Sequence, residues 1–454
     1  MSKYYLRANY DIQNVNFIKT DEFIVVDVPM LLNDKLNYGL EQVKTKLYSH
    51  NIFPSELGFD IFTLATMVYL ADTRIERKIH GQDSWTREII IQLPVSNIDL
   101  WKKQSVIIKQ MLKFLTGDLW DIEFEKRNWK FDIKDKTKDK TTLYSRASLF
   151  SGGMDSLIST INLMEQKENS LLFGHAGESF TKNAQTNIIK VLDEQYPEVA
   201  HTLIDLWMNF PDKYIPEGGN DSNTRSRSFL FIGFAIFSIT GTNNIKELIV
   251  PENGLIALNV PLDVTRIGSF STRTTHPFYL KLWNDLLKGL ELEVSVRNPY
   301  WNKTKGEMAT ECLNKKLLFD TMKLSFSCSS PGKARWKKLR PQHCGYCVPC
   351  LIRKSAMYKA FGKDSTVYTE TSIKHMQNNS ASGIGIQLRS FQYAIKYLKD
   401  NPNIEKLSIH RSGPLLFLDD NYLSALGATY KRGLLEIDAF ISNMLNKEER
   451  HNEI

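Results

Sequence analysis

Between Thr141 and Val250 the apolar positions fall into runs of two kinds. Leu143–Phe150, Ser170–Gly174, Thr202–Leu206 and Ile245–Val250 are short and read as strands, while Leu157–Met164 and Ile188–Leu192 space their apolar residues as a helix does. Phe229–Ile239 is apolar on nearly every face. Strands alternating with helices predict an α/β region, a parallel sheet covered on both sides, in which an all-apolar helix is buried. Ahead of it, strand-like Phe23–Val28 and Glu88–Leu93 mix with helical Phe59–Tyr69 and Leu100–Leu115, which predicts an N-terminal accessory α+β domain. Asp132–Lys140 alternates charges without an apolar face and reads as a linker. The end of the chain is mostly helical, with Phe391–Leu398 and Leu434–Leu445 its clearest amphipathic runs. The expected division is residues 1–140, 141–365 and 366–454.

Composition narrows the class. Of 454 residues, 42% are apolar and 24% charged, a balance that excludes a disordered or fibrous chain. Lys plus Arg exceeds Asp plus Glu by 58 − 51 = +7, which permits an anionic ligand without requiring nucleic acid. The longest apolar run is too short for a bilayer, and the polar N-terminus lacks a secretory core. A soluble, cytoplasmic protein with no membrane partner is expected. Cysteine is absent before Cys312, and four of the five cysteines fall between Cys328 and Cys350. That clustering points to a metal in a reducing compartment rather than to disulfides.

Two motifs carry chemistry. Ser151-Gly152-Gly153-Met154-Asp155-Ser156 lies between the first strand and first helix of the α/β region. Paired glycines let the backbone turn tightly and approach a ligand, and the following helix aims its free N–H groups at an anion. Ser151 and Ser156 add hydroxyls, and Asp155 can hold the Mg²⁺ that accompanies a phosphate. No Gly-Lys-Ser/Thr follows, so this is not a Walker A loop. The second motif, Cys328-x15-Cys344-Gly-Tyr-Cys347-Val-Pro-Cys350, supplies four thiolates. They suit a tetrahedral structural Zn²⁺, with an iron–sulfur cluster as the competitor. Cys312 stands apart as an ordinary thiol.

The glycine string resembles the pyrophosphate loop (PP-loop) of the adenine-nucleotide α-hydrolases, which cleave ATP between the α and β phosphates. Followed by Cys344-Gly-Tyr-Cys347-Val-Pro-Cys350-Leu-Ile-Arg353, it resembles the 7-cyano-7-deazaguanine synthase (QueC) family over residues 143–365. Arg227-Ser-Phe-Leu-Phe and Lys303-Thr-Lys305-Gly-Glu307 are similar to further family segments. Two features depart from it: long flanking regions, and Ser271-Thr272-Arg273-Thr274-Thr275-His276-Pro277 in place of the family's Asp-Cys-Arg substrate segment. Both resemble the QatC branch of anti-phage defence proteins, as do Asp83-Ser-Trp-Thr-Arg87 and Leu115-Thr-Gly-Asp-Leu-Trp120.

The resemblance implies a ligase that activates the carboxylate of 7-carboxy-7-deazaguanine with ATP, releasing AMP and pyrophosphate. Ammonia would then give an amide, which a second ATP activation and loss of water would convert to the nitrile, whereas the amine of a partner protein from a defence operon would give an amide conjugate. Ser151, Gly152, Gly153, Asp155 and Ser156 would bind pyrophosphate and Mg²⁺, Lys305 or Arg227 would neutralise charge developing on the phosphates, and Zn²⁺ would lock the loop bearing Arg353. The polar stretch Asn253–Pro277 follows the fourth strand, where ligands bind in such sheets. It makes Arg273, Thr274 and His276 the substrate candidates, with Glu178 and Asp263 behind them. Two other readings stand beside this one. A tRNA-modifying PP-loop enzyme would show a basic aromatic surface, which only Lys333–Arg340 resembles. A non-catalytic nucleotide-binding interaction protein would not need so intact a loop.

Overall fold

The computed structural model describes residues 3–131, 142–221, 225–263 and 273–451. The expected linker Asp132–Lys140, and Ser271 and Thr272 of the substrate segment, lie outside the described residues. Strands run in chain order as β1 (Lys3–Asn9), β2 (Asn16–Lys19), β3 (Phe23–Pro29), the short pair β4 (Leu31–Leu32) and β5 (Lys35–Leu36), β6 (Glu88–Val95), β7 (Leu119–Lys126), β8 (Arg146–Leu149), β9 (Ser170–Ala176), β10 (His201–Trp207), β11 (Glu247–Ile249) and β12 (Ser295–Arg297).

The α/β region forms as expected. Its sheet has the order β10-β9-β8-β11-β12, every pair parallel, with β8 at the centre. Successive side chains point to opposite faces: Leu171 and Phe173 join one apolar core, Leu172 another. Helices Met154–Glu165 and Ser179–Gln195 cover the second face, and the apolar Arg227–Ile239 helix covers the first.

The N-terminal region departs from the segregated α+β arrangement. It holds a second sheet, β2-β3-β1-β6-β7, in which only edge strand β2 runs antiparallel. Between the two sheets lies the helix Glu56–Arg74, which is packed against Arg227–Ile239. The two helices run antiparallel and close: Gly58 abuts Thr240 Oγ1, and a Cβ on Gly233 would come within 2.9 Å of Ala65 Cβ. Phe62 stacks on Phe237 at 5.2 Å. One continuous core therefore runs from Tyr4 to Val296 across both sheets.

The polar Asp83–Arg87 cluster has a structural role. Asp83 and Ser84 turn through positive φ and deliver Arg87 into the interior. Its guanidinium donates to Asp118 and Asp72 at 2.6–3.1 Å and, through Nη1, to carbonyls that include Ile75 at 2.6 Å, at the end of the helix Glu56–Arg74. Arg77 joins the same two carboxylates. The segments Asp83–Arg87 and Leu115–Trp120 thus meet, with Asp72 and Arg77, in one buried ion-pair network. The C-terminal region is helical, and Ile386–Asp400 and Asp420–His451 share a core with Val348–Phe361 and the cysteines.

Candidate functional site

The glycine loop leaves β8 at the carboxyl edge of the sheet. Gly152 has φ +80°, a conformation that favours glycine, and Gly153 is the N-cap of the helix Met154–Glu165. Ser151 Oγ lies 3.2 Å from Ser156 Oγ and accepts from Gly153 N at 3.3 Å, and Ser156 Oγ donates to the Gly153 carbonyl. Ser151 itself is exposed.

Asp155, in the first turn, is buried and half-satisfied. Its Oδ2 accepts from Asn253 N at 3.2 Å and Asn253 Nδ2 at 2.8 Å. Its Oδ1 lies 3.0 Å from Lys305 Nζ but receives no aligned hydrogen bond. Lys305 is placed by a capping box: Thr304 Oγ1 accepts from Glu307 N while the Glu307 carboxylate accepts from Thr304 N. Beside them stands Glu252, whose Oε2 accepts from Thr275 Oγ1 at 2.5 Å. Burial, with the Asp155 charge adding to it, pushes its carboxyl up to about 7, against the lowering effects of Thr275 and Lys305. Asp155 Oδ1, paired with Lys305 alone, and the Glu252 carboxyl are the acidic groups here that could take a divalent cation. Asp155 and Glu252 are the residues that would hold it.

Sequence reasoning missed Glu252 and its neighbour Asn253 in this role. The polar stretch beginning at Asn253 started one residue too late. The available signal was Glu252-Asn253-Gly254 directly after the fourth strand, and Gly254 is confined by the Trp301 carbonyl, against which a Cβ would collide.

The structure brings Ser151, Gly152, Gly153, Asp155, Ser156 and Lys305 together. Arg227 sits one strand away, donating from Nε to His175 Nδ1 at 3.2 Å and from Nη2 to the His175 carbonyl at 3.1 Å. Burial, then the Arg227 charge, drives His175 down to about 3.

The substrate candidates lie at and just before the start of the helix Pro277–Gly289. His276 is fully buried, caps the helix Pro277–Gly289 by accepting from Phe278 N, and lies 3.0 Å from Ser412 Oγ. Burial, then Arg273, pushes it down to about 3, so it is a neutral structural cap. Arg273 donates to the Phe114 carbonyl at 2.6 Å and stacks over the Phe114 ring at 4.3 Å, tying its segment to the end of the helix Ser105–Thr116. Burial, with Arg225 adding to it, lowers it to about 10. Thr274 is partly buried beside it, and Thr275, one residue on, is the side chain that reaches Glu252. Asp263 is held by Ser390, and Glu178 is exposed ahead of the helix Ser179–Gln195.

Cys328, Cys344, Cys347 and Cys350 converge, with all four sulfurs within 4.8 Å of one another. Cys328 and Cys347 are 3.9 Å apart and Cys344 and Cys350 4.0 Å, close to the ~3.8 Å expected between sulfurs bound tetrahedrally at ~2.3 Å. The set is positioned to hold a metal ion such as zinc. Backbone N–H groups of Cys344 and Cys347 donate to Cys328 and Cys344 sulfurs at 3.3 Å, and Gly345 at φ +88° makes the turn. Cys312 lies elsewhere, buried, its thiol pushed up to about 11 by that burial.

The two motifs touch. Phe326, two residues before Cys328, donates its N–H to the Gly152 carbonyl at 2.8 Å. Arg353 is buried, donates to the Met322 carbonyl at 2.6 Å and lies 3.5 Å from Ser327 Oγ, so it braces the segment that supports the glycine loop. No family model and no curated protein sequence matches this chain. Among the described residues no helix is long and apolar enough to cross a membrane.

Proposed function

We propose that this chain is an AMP-forming, ATP-dependent ligase of the QueC kind that activates the carboxylate of a 7-deazaguanine. The observation that carries the reading is the glycine loop at the carboxyl end of the central strand, with the half-satisfied Asp155 beside Lys305 and Glu252.

In this reading the loop N–H groups and the hydroxyls of Ser151 and Ser156 bind the β and γ phosphates of ATP. Mg²⁺, held by Asp155 and Glu252, supplies charge neutralisation at the phosphates when bound. Lys305 places a fixed cation where negative charge grows as the substrate carboxylate oxygen attacks the α phosphorus and pyrophosphate departs. Ammonia or a protein amine then attacks the acyl carbon, AMP leaves with the former carboxylate oxygen, and the nitrogen sheds a proton. The cysteine-bound metal is structural in this scheme, holding Phe326 and Ser327 against the glycine loop. The position of the protein within an anti-phage defence operon, with a partner protein as acceptor, belongs to the same proposal.

The test is incubation with 7-carboxy-7-deazaguanine, MgATP and ammonium, followed by mass spectrometry of the small molecules. Amide or nitrile together with AMP is the expected result. AMP formation dependent on the deazaguanine, without either product, moves the nucleophile onto a protein. Absence of deazaguanine-dependent AMP overturns the proposal.

A further inference from the structure

We infer that the loop held between Cys328 and Cys344 is a docking surface for single-stranded nucleic acid. It forms the short 3₁₀ turn Pro331–Lys337, closed by Lys338 at φ 57° and anchored by fully buried Ala334. Every residue from Arg335 to Arg340 is exposed, and four of the six are cations: Arg335, Lys337, Lys338 and Arg340. Trp336, among them, is 83% exposed, the most exposed tryptophan of the described chain.

The local acidic charge is already engaged. Glu370, only 7% exposed, meets His375 Nδ1 at 2.8 Å and Lys337 Nζ at 3.6 Å, and Lys337 also donates to the Thr369 carbonyl. Lys333 lies over the Tyr346 ring at 5.5 Å. Arg335, Lys338 and Arg340 meet no carboxylate among the described residues. A bare aromatic face between free cations is the arrangement that stacks a base and tracks phosphates. A tryptophan anchoring a protein interface would need an apolar, water-excluding surround, and here its one exposed apolar companion in the loop is Leu339 at 42%. Both ends of the loop are cysteine ligands, so a bound metal would fix this face rather than leave it to fluctuate.

The experiment titrates the full-length metal-loaded protein into a labelled oligouridine of about 20 nucleotides and follows anisotropy at roughly 50 and 200 mM salt. Trp336→Ala is expected to weaken binding roughly 5- to 150-fold, the span of one base–aromatic stack, with Trp336→Phe retaining most of it. Replacing Arg335, Lys338 and Arg340 together by Ala is expected to lower the log–log salt slope by about 2, near 0.7 per phosphate released. Three results would overturn the inference: no binding at the lower salt, unchanged affinity of Trp336→Ala, or displacement of the oligouridine by polyglutamate at equal charge. None of these readouts involves AMP formation, so failure here and failure of the proposed ligase activity are separately visible.

Discussion

Replacing Glu252 with Gln should make the protein more stable at alkaline pH and leave it unchanged in acid. The side chain keeps its shape and can still accept from Thr275 Oγ1, but it can no longer carry charge. In the native protein burial and the nearby Asp155 raise the Glu252 carboxyl from 4.5 to about 7. The folded state therefore holds this proton more tightly than the unfolded chain does. The resulting stability is complete below pH 4.5, declines as pH rises, and is gone above about pH 7. At about 1.4 kcal/mol per tenfold, a rise of 2.5 pH units from 4.5 to 7 is worth ~3 kcal/mol. An unfolding entropy of about 2 cal/mol/K per residue over 454 residues turns that into a ~3 °C difference in Tm, if the chain melts as one unit. Metal-free with respect to Mg²⁺, wild type and Glu252→Gln should melt together near pH 4.5 and separate by ~3 °C at pH 8, the variant higher. Adding Mg²⁺ at pH 8 should raise the wild type toward the variant and leave the variant where it was. Parallel melting curves across the whole range would refute both the buried, charge-strained carboxyl and its pairing with Asp155.

Arg87→Met should cost about 3–5 kcal/mol in urea unfolding, because it leaves two buried carboxylates, Asp72 and Asp118, to share the single cation Arg77; Arg297→Met, which breaks an exposed pair with Glu247, should cost less than about 1. Elemental analysis should find one bound metal per chain, lost in Cys347→Ser. Gly345→Ala should lose it too, since a Cβ there would strike the Glu370 carbonyl at a φ of +88°. Asp155→Asn should fold with unchanged far-UV circular dichroism yet yield no AMP in the ligase assay.

Much of this organisation is legible in the residues because it is local. The alternation of strand and helix from Leu143 to Val250, the glycine loop and the cysteine spacing each depend on neighbours a few positions apart. What escaped is what depends on distance. Arg87 and Asp118 are 31 residues apart, and nothing in either segment alone says that they pair. Arg273 and His276 stand in a polar stretch, and their contacts with Phe114 and Ser412 come from far away in sequence. Glu252 is a single carboxylate without spacing to mark it. The expected helix Leu100–Leu115 divides into Ile98–Lys102 and Ser105–Thr116, and beside the break the Gln104 side chain donates to the Leu100 and Gly289 carbonyls. The N-terminal sheet is parallel apart from edge strand β2, because β6 is reached from the strands before it, and β7 from β6, through helical crossovers.

That shared helix sets a problem for the ribosome. Every residue from Gly58 to Arg74 is buried in the finished protein, yet the helix that covers its far side, Arg227–Ile239, begins 227 − 74 = 153 positions later. At about 5–20 residues per second, Phe59, Phe62 and Met67 wait roughly 10–30 s after synthesis for their cover. The N-terminal half thus emerges as an adhesive half-sandwich, and chaperones that shield apolar helices should be most needed while residues 75–239 are being made. Slowing translation across that window should increase aggregation, whereas slowing it after Ile239 should not.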